Sequence, residues 1–141
     1  ARDETAHLAQ VLRLLAKRGG RLERVHKNPY ANALRLLVRK GGAGEILDRV
    51  LVSALIEARS CERFGVLAAA AADPEIAAFY KALYASELGH YKVFLKLARK
   101  IAPPPIRPED AMDARWRQML AHEAEILAAQ TPRPRIHSGV E

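Results

Sequence analysis

Ala85-Ser86-Glu87-Leu88-Gly89-His90 sets a glutamate and a histidine three residues apart, and Glu4-Thr5-Ala6-His7 near the start of the chain repeats the spacing. On an α-helix that spacing puts both side chains on one face, about 4.5 Å apart along the axis at about 1.5 Å per residue. One metal ion is then within reach of both. A single pair arises easily by chance, whereas two pairs on separate helices make a pattern. Bundles that hold two metal ions take Glu-x-x-His from two helices and one further Glu from each of the other two. The pairs therefore predict an all-α antiparallel bundle.

The rest of the chain agrees with helices. Of 141 residues, 26 are alanine, the best helix former, and β-branched residues are sparse. Five helical segments are expected. The first spans about Arg2 to Arg18, with Leu8, Val11, Leu12 and Leu15 at helical spacing, and stops at Gly19 and Gly20. A short one from Pro29 to Lys40 is capped by Asn28. The third runs from Glu45 to Ala70, and Asp73-Pro74 reverses the chain into the fourth, Pro74 to Lys100. Pro103, Pro104 and Pro105 end it, and a fifth spans Pro108 to Gln130, anchored by Trp116. Residues 131–141 read as an irregular tail of one single domain, 1–141.

The third and fourth segments, joined by a short turn, should pack antiparallel. The inward stripe of the third reads Val50, Ala54, Glu57, Cys61, Phe64. Glu57 thus stands where an apolar residue is expected, and a metal would compensate its burial. Glu57 lies 16 residues before Asp73, while Glu87 and His90 lie 14 and 17 after it, so the folded hairpin brings them level. Glu62, only 11 before the turn, falls nearer to it and is given a supporting or surface role. The four-helix pattern also wants an acid from a helix ahead of the first. Ala1 stands one turn before Glu4 with no methionine, cap or lead-in, so an upstream helix is expected, with Glu123 and Glu125 on the fifth helix as less economical donors.

Carboxylates and imidazoles hold iron while leaving positions open for a small oxidant, and iron can drive hydroxylation of an unactivated carbon. Manganese also suits these ligands. Zinc suits them less, because no thiolate accompanies the pairs. Cys61 reads as a small buried apolar residue. Arg59, Glu62 and Tyr84 are candidates to support the ligands from behind, against simpler surface or packing roles. His122 and Glu125 pair in the reverse order and read as surface residues.

Formal net charge is +7 and the sequence pI about 9.9, which favours partners carrying negative charge. No apolar run reaches the length of a membrane span, no signal peptide is visible, and a single cysteine fits a reducing compartment, so the cytoplasm is expected. Between Arg13 and Lys40 stand nine Lys or Arg and one Glu: Arg13, Lys17, Arg18, Arg21, Arg24, Lys27, Arg35, Arg39 and Lys40. Such a run can meet phosphates, and Tyr30 and His26 within it can stack on a base. The plain alternative is a solvated face.

Several stretches together resemble one family. Ile56-Glu57-Ala58-Arg59-Ser60-Cys61-Glu62-Arg63-Phe64, Phe79-Tyr80, Ser86-Glu87-Leu88-Gly89-His90-Tyr91, the opening Ala1-Arg2-Asp3-Glu4-Thr5-Ala6-His7 and the ending Arg135-Ile136-His137-Ser138-Gly139-Val140 are similar to the bacterial tRNA-(2-methylthio-N6-isopentenyladenosine) hydroxylases of the ferritin-like superfamily. The resemblance implies a ferritin-like bundle and a non-haem di-iron monooxygenase. It would hydroxylate the isopentenyl arm of the adenosine beside the anticodon in tRNA, using dioxygen and an external electron donor. Glu4, His7, Glu57, Glu87 and His90 become the ligands of two iron ions. The opening element departs from the commonest family form around Asp3 and Thr5, and the family's first iron-binding glutamate has no counterpart here. A ferritin-like iron oxidase or peroxide-reducing protein is the alternative with the same ligands.

Overall fold

Asp73-Pro74 organises the long hairpin. Asp73 Oδ1 accepts the backbone N–H of Glu75 at 2.8 Å and of Ile76 at 3.4 Å. Pro74 sits in the first turn, where no N–H is needed. The computed structural model describes residues 2–22, 28–102, 104–105, 111–132 and 136–137. They form α1 (Arg2–Lys17), α2 (Pro29–Leu36), α3 (Gly42–Ala70), α4 (Pro74–Ile101) and α5 (Met112–Ala128), and no strand occurs among them. The all-α expectation holds, with every expected helix present.

Two boundaries differ from the sequence reading for local reasons. α2 stops at Leu36 rather than Lys40. Leu37 and Val38 donate back to the carbonyls of Leu34 and Arg35 in a closing turn, and Arg39 gives its backbone N–H to Asp48 at 2.9 Å. α3 begins at Gly42, ahead of Glu45. Gly41 and Gly42 have φ of 81° and 66°, a region that favours glycine, and the Gly41 N–H donates to Glu45 Oε2 at 2.8 Å. The expected start of the fifth helix at Pro108 lies outside the described residues, as does the tail apart from 131–132 and 136–137.

α3 and α4 form the main antiparallel pair. α1 lies antiparallel to α4, and both of its ends show this. Near its C-terminus Lys17 Nζ meets Glu75 at 2.7 Å, and Arg18 Nη2 meets Asp73 at 2.6 Å and Glu75 at 3.0 Å. Near its N-terminus Asp3, Glu4 and His7 reach Glu87 and His90. Such solvent-exposed ion pairs are weak, so they set register more than stability.

The apolar core sits at the open end of the hairpin. Tyr30 and Leu34 of α2, Leu47, Leu51 and Leu55 of α3 and Met119 of α5 are fully buried together, with Ala98 of α4 beside them. Burying each large apolar side chain there contributes about 1.5–3 kcal/mol. Trp116 packs against this core and tilts on Tyr91, with ring centroids 6.4 Å apart, as its anchoring role predicts. α1 leaves Leu8, Val11 and Leu12 substantially exposed.

One buried acid ties the core elements together. Asp48, fully buried on α3, accepts from Arg39 Nε and Nη2 at 2.9 Å each and from Arg115 Nε and Nη2 of α5 at 3.0 and 2.8 Å. Arg115 Nη2 also donates to the Leu37 carbonyl at 2.7 Å. Burial works to raise the Asp48 pKa, but the hydrogen bonds from Arg115 and Arg39 outweigh it and hold the carboxyl below its ordinary value.

Removing one partner of a buried ion pair strands the others. Asp48→Asn should therefore lose about 3 kcal/mol of stability in urea unfolding followed by circular dichroism at pH 7. The folded-state pKa lies below the unfolded one, so this contribution is complete above about pH 4. It is lost as pH falls through the depressed folded value. The variant should show a shallower acid limb than the parent, and equal limbs would remove Asp48 from that role.

Candidate metal centre

Three helices converge where the two Glu-x-x-His pairs and Glu57 meet. Ligand atoms of Glu4, Glu57, Glu87 and His90 all lie within 4.8 Å of one another. His7 completes the group, with Nδ1 3.4 Å from Glu87 Oε1 and 3.7 Å from Glu4 Oε2. His90 Nδ1 is 3.3 Å from Glu87 Oε2 and 3.5 Å from Glu4 Oε1. All five residues singled out from the sequence thus face one point. Glu87 is buried, Glu57, His7 and His90 are half-buried, and Glu4 lies at the exposed edge.

The electrostatics of this point are unbalanced. Burial, followed by the hydrogen bond and charge of Glu87 and then the charge of Glu4, pushes the Glu57 carboxyl well above the ordinary carboxylate range. Burial works to lower the His90 pKa, but Asp3, Glu87 and Glu4 outweigh it and leave it raised. No Lys or Arg is among the described residues that line the cavity around the cluster. Three acids and two imidazoles without a cationic side chain are a donor set that a metal cation would neutralise. Oxygen and imidazole donors with no thiolate among them fit iron. The nearby Cys61 points elsewhere. Its Sγ lies 3.8 Å from the Tyr84 carbonyl, and burial, with Glu87 and Glu57 adding to it, pushes the thiol up to about 11.

The other sequence candidates fall in different places. Glu62 is exposed and pairs with Arg59, one turn back on its own helix. Arg59 turns from the cluster to donate to Glu123 Oε1 of α5 at 3.2 Å. The Tyr84 ring packs beside Gly65 and is 40% exposed. Glu123, the less economical donor, is taken by Arg59 and Tyr30, while Glu125 is exposed on α5. In the basic run, Lys17 and Arg18 clamp the hairpin turn and Arg39 neutralises Asp48. Arg13, Arg21, Arg35 and Lys40 are exposed, while Arg24, Lys27 and His26 lie outside the described residues. The expectation that Tyr30 stacks on a base is corrected: Tyr30 has no exposed surface, because its ring fills the core beneath α3.

The sequence reading missed two features of the site. Asp3 Oδ2 lies 3.2 Å from His90 Nε2, an acid adjacent to Glu4 that no spacing rule singled out. The second feature is a polar wall made from residues far apart in the chain. The Tyr30 hydroxyl donates to Glu123 Oε1 at 2.6 Å, and its ring stacks on His137 at 4.8 Å and 9°. His137 Nδ1 is 3.3 Å from Asn28 Nδ2, and its Nε2 is 3.2 Å from Ser60 Oγ. The helix cap decides which proton is where. Asn28 Oδ1 accepts the Ala31 N–H at 3.2 Å, so Nδ2 faces the ring and Nδ1 accepts from it. His137 then carries its proton on Nε2 and donates to Ser60. Burial, then the cations of Arg63 and Arg59, lowers the His137 pKa and keeps the ring neutral.

Cluster and wall enclose a cavity of about 550 Å³. Glu4, His7, Glu57 and Glu87 of the cluster and Asn28, Ser60 and His137 of the wall contribute to its lining. Leu8, Val11, Ile56, Phe64, Leu83 and Ile136 make the remainder apolar.

Known proteins share this arrangement of helices and sequence. A family model described as "tRNA-(MS[2]IO[6]A)-hydroxylase (MiaE)" matches residues 1–138. A tRNA 2-(methylsulfanyl)-N(6)-isopentenyladenosine(37) hydroxylase of Pseudomonas putida is 40% identical over 141 residues, 99% of this chain and 65% of its own length. Its namesake from Salmonella typhimurium is 32% identical over 139 residues, 99% of this chain and 49% of its own length. The chain therefore spans about half of one relative and just under two thirds of the other. A solved structure titled as a protein with aldehyde deformylating oxygenase activity, from Synechococcus, superposes with a TM-score of 0.85 at 34% identity, covering 98% of this chain and 68% of the other. With its all-α hairpin architecture and a family match over nearly every residue, the chain belongs to the MiaE family of tRNA hydroxylases.

Proposed function

We propose that this chain forms the metal-binding part of a non-haem di-iron monooxygenase. Its substrate is the isopentenyl arm of 2-methylthio-N6-isopentenyladenosine beside the anticodon of a tRNA. The observation that carries the reading is the acid–histidine cluster opening into a largely apolar cavity of about 550 Å³. Glu4, His7, Glu57, Glu87 and His90 would hold two iron ions. Bound iron would supply activation of dioxygen with external electrons and insertion of one oxygen atom into a C–H bond.

The chain's own residues do the rest. Leu8, Val11, Ile56, Phe64, Leu83 and Ile136 offer a branched hydrocarbon arm apolar contact and exclude water around it. Neutral His137, pinned by Tyr30, Asn28 and Ser60, fixes the wall at the C-terminal segment. An iron oxidase or peroxide-reducing protein would need the same ligands but no apolar chamber of this size. The tRNA substrate accords with the names of the relatives and with cytoplasmic residence, and no helix among the described residues is long and apolar enough to cross a membrane.

Ferrous ion titrated under nitrogen should raise the melting temperature of the chain, because ligand that binds only the folded state stabilises it. Glu57→Ala should weaken that binding at least tenfold while retaining helical circular dichroism. An undiminished ion-induced shift would take Glu57 out of the ligand set. Reduced, iron-loaded protein given dioxygen and bulk tRNA should add one oxygen to the isopentenylated nucleoside, read by mass analysis of the digested nucleosides. Glu57→Ala should abolish that gain. A parallel incubation with a long-chain aldehyde separates this reading from the activity of the Synechococcus neighbour. Conversion of the aldehyde alone would overturn it.

A further inference from the structure

The face of α3 that lines the metal cavity continues toward the helix N-terminus. Ile56 borders that cavity and also a second one of about 310 Å³. The second is lined by Arg49, Val52, Ser53 and Ile56 of α3, Arg35 of α2, and Val38 and Lys40 of the connection between them. Positions 49, 52, 53 and 56 recur at helical spacing, so one α3 stripe floors it. Val38, Val52 and Ile56 form its apolar part, and Arg35, Lys40 and Arg49 supply three cations.

Local acids leave a positive balance. Arg49 gives Nε and Nη2 to Glu45 Oε1 at 3.0 and 2.7 Å, which keeps its Nη1 group for a ligand. Asp48 is saturated by Arg39 and Arg115. Three cations against Glu45 leave the rim near +2. Arg35 and Lys40 are exposed and unused by the core.

Distance gives the pocket its meaning. Arg49 and Glu57 are eight residues apart on one helix, about 12 Å along its axis at about 1.5 Å per residue. If a base-borne arm enters the metal cavity, the base and sugar lie between that arm and the backbone, so a phosphate must stand about one nucleoside's length from the cluster. We infer that Arg35, Lys40 and Arg49 form a subsite for a backbone phosphate adjoining the nucleotide whose arm enters the metal cavity. Val38, Val52 and Ile56 supply the apolar floor under its sugar and base. This rests on the nucleic-acid reading of the metal site. It adds Arg49, outside the basic run, and separates Arg35 and Lys40 from the cations of that run that hold the fold together.

Anisotropy of a fluorescein-labelled RNA hairpin carrying the isopentenylated adenosine in its loop tests the inference. The full chain is titrated between about 50 and 200 mM KCl, the range over which phosphate contacts show their salt dependence. Arg35→Gln/Lys40→Gln/Arg49→Gln should bind at least tenfold more weakly at the lower salt, with a log–log salt slope smaller by about 1 or more. Lys92→Gln/Lys96→Gln/Lys100→Gln removes the same charge from exposed α4 positions that line neither cavity, and should lose less than threefold. Thermal melts of all three proteins verify folding, since every substituted side chain is exposed. Equal losses in both triple variants, or no loss in the first, overturn the subsite while the substrate reading stands. Failure of the parent chain to bind the hairpin overturns both.

Discussion

Like charges have to be forced together, and the register of three helices does the forcing. Two carboxylates about 4 Å apart repel by about 1 kcal/mol in water and by about 4 kcal/mol at the effective dielectric of a protein surface. Glu4, Glu57 and Glu87 stand that close because α3 and α4 turn tightly at Asp73 and because α1 is pinned to the same turn by Lys17 and Arg18. The clamp and the cluster are at opposite ends of α1. Moving the turn by one residue would rotate each acid by about 100° around its helix axis, so the centre depends on a cap that lies far from it.

The rest of the chain opposes that repulsion and supplies a comparison for it. Two buried acids and the half-buried Glu57 are treated differently. Asp48 is met by two guanidinium groups and its pKa falls. Glu123 is met by Arg59 and the Tyr30 hydroxyl. Glu57 is met by Glu87 and Glu4, and its pKa rises. Where an acid serves the scaffold, this sequence provides arginine. Around the cluster, the described lining holds neither Lys nor Arg. The same contrast appears in the packing. The core of Tyr30, Leu34, Leu47, Leu51, Leu55 and Met119 fills the open end of the hairpin, and the charged cluster sits midway along it, between that core and the Asp73 turn.

Most of this could be read from residues alone, for a physical reason. Helical period and turn chemistry are local, so the five helices, the Asn28 cap, the reversal at Asp73-Pro74 and the shared face of Glu87 and His90 follow from residue type and spacing. The tight reversal then made the level of Glu57 a matter of counting, and chose it over Glu62. Long-range pairings carried no such signal. Asp48 meets Arg115 across 67 positions and Tyr30 meets Glu123 across 93. Nothing in either neighbourhood announces its partner. For the same reason Tyr30 looked available to a base when it is core. The basic run also appeared continuous until Lys17, Arg18 and Arg39 were found holding the scaffold. Arg49 was overlooked because it stands outside that run, and only folding brings it beside Arg35 and Lys40.

The polar wall limits what chemistry the cavity can host. Ser60, His137 and Asn28 follow one another at hydrogen-bonding distance, which is the order of a nucleophile, a base and an orienting group. The proton positions run the other way. A base for Ser60 would need a bare Nε2 and a proton on Nδ1, directed at an acceptor. Asn28 cannot be that acceptor, since its oxygen caps α2 through the Ala31 N–H. The ring instead donates through Nε2, so Ser60 receives a proton where a nucleophile would surrender one. His137 serves as a spacer locked on Tyr30, and the titratable cavity residues left to act on a substrate are Glu4, His7, Glu57 and Glu87. An apolar lining, a fixed neutral wall and an acid-rich corner without Lys or Arg are what the proposed reading asks of the chamber, and the cationic groove along α3 is what the proposed phosphate subsite asks of its neighbour.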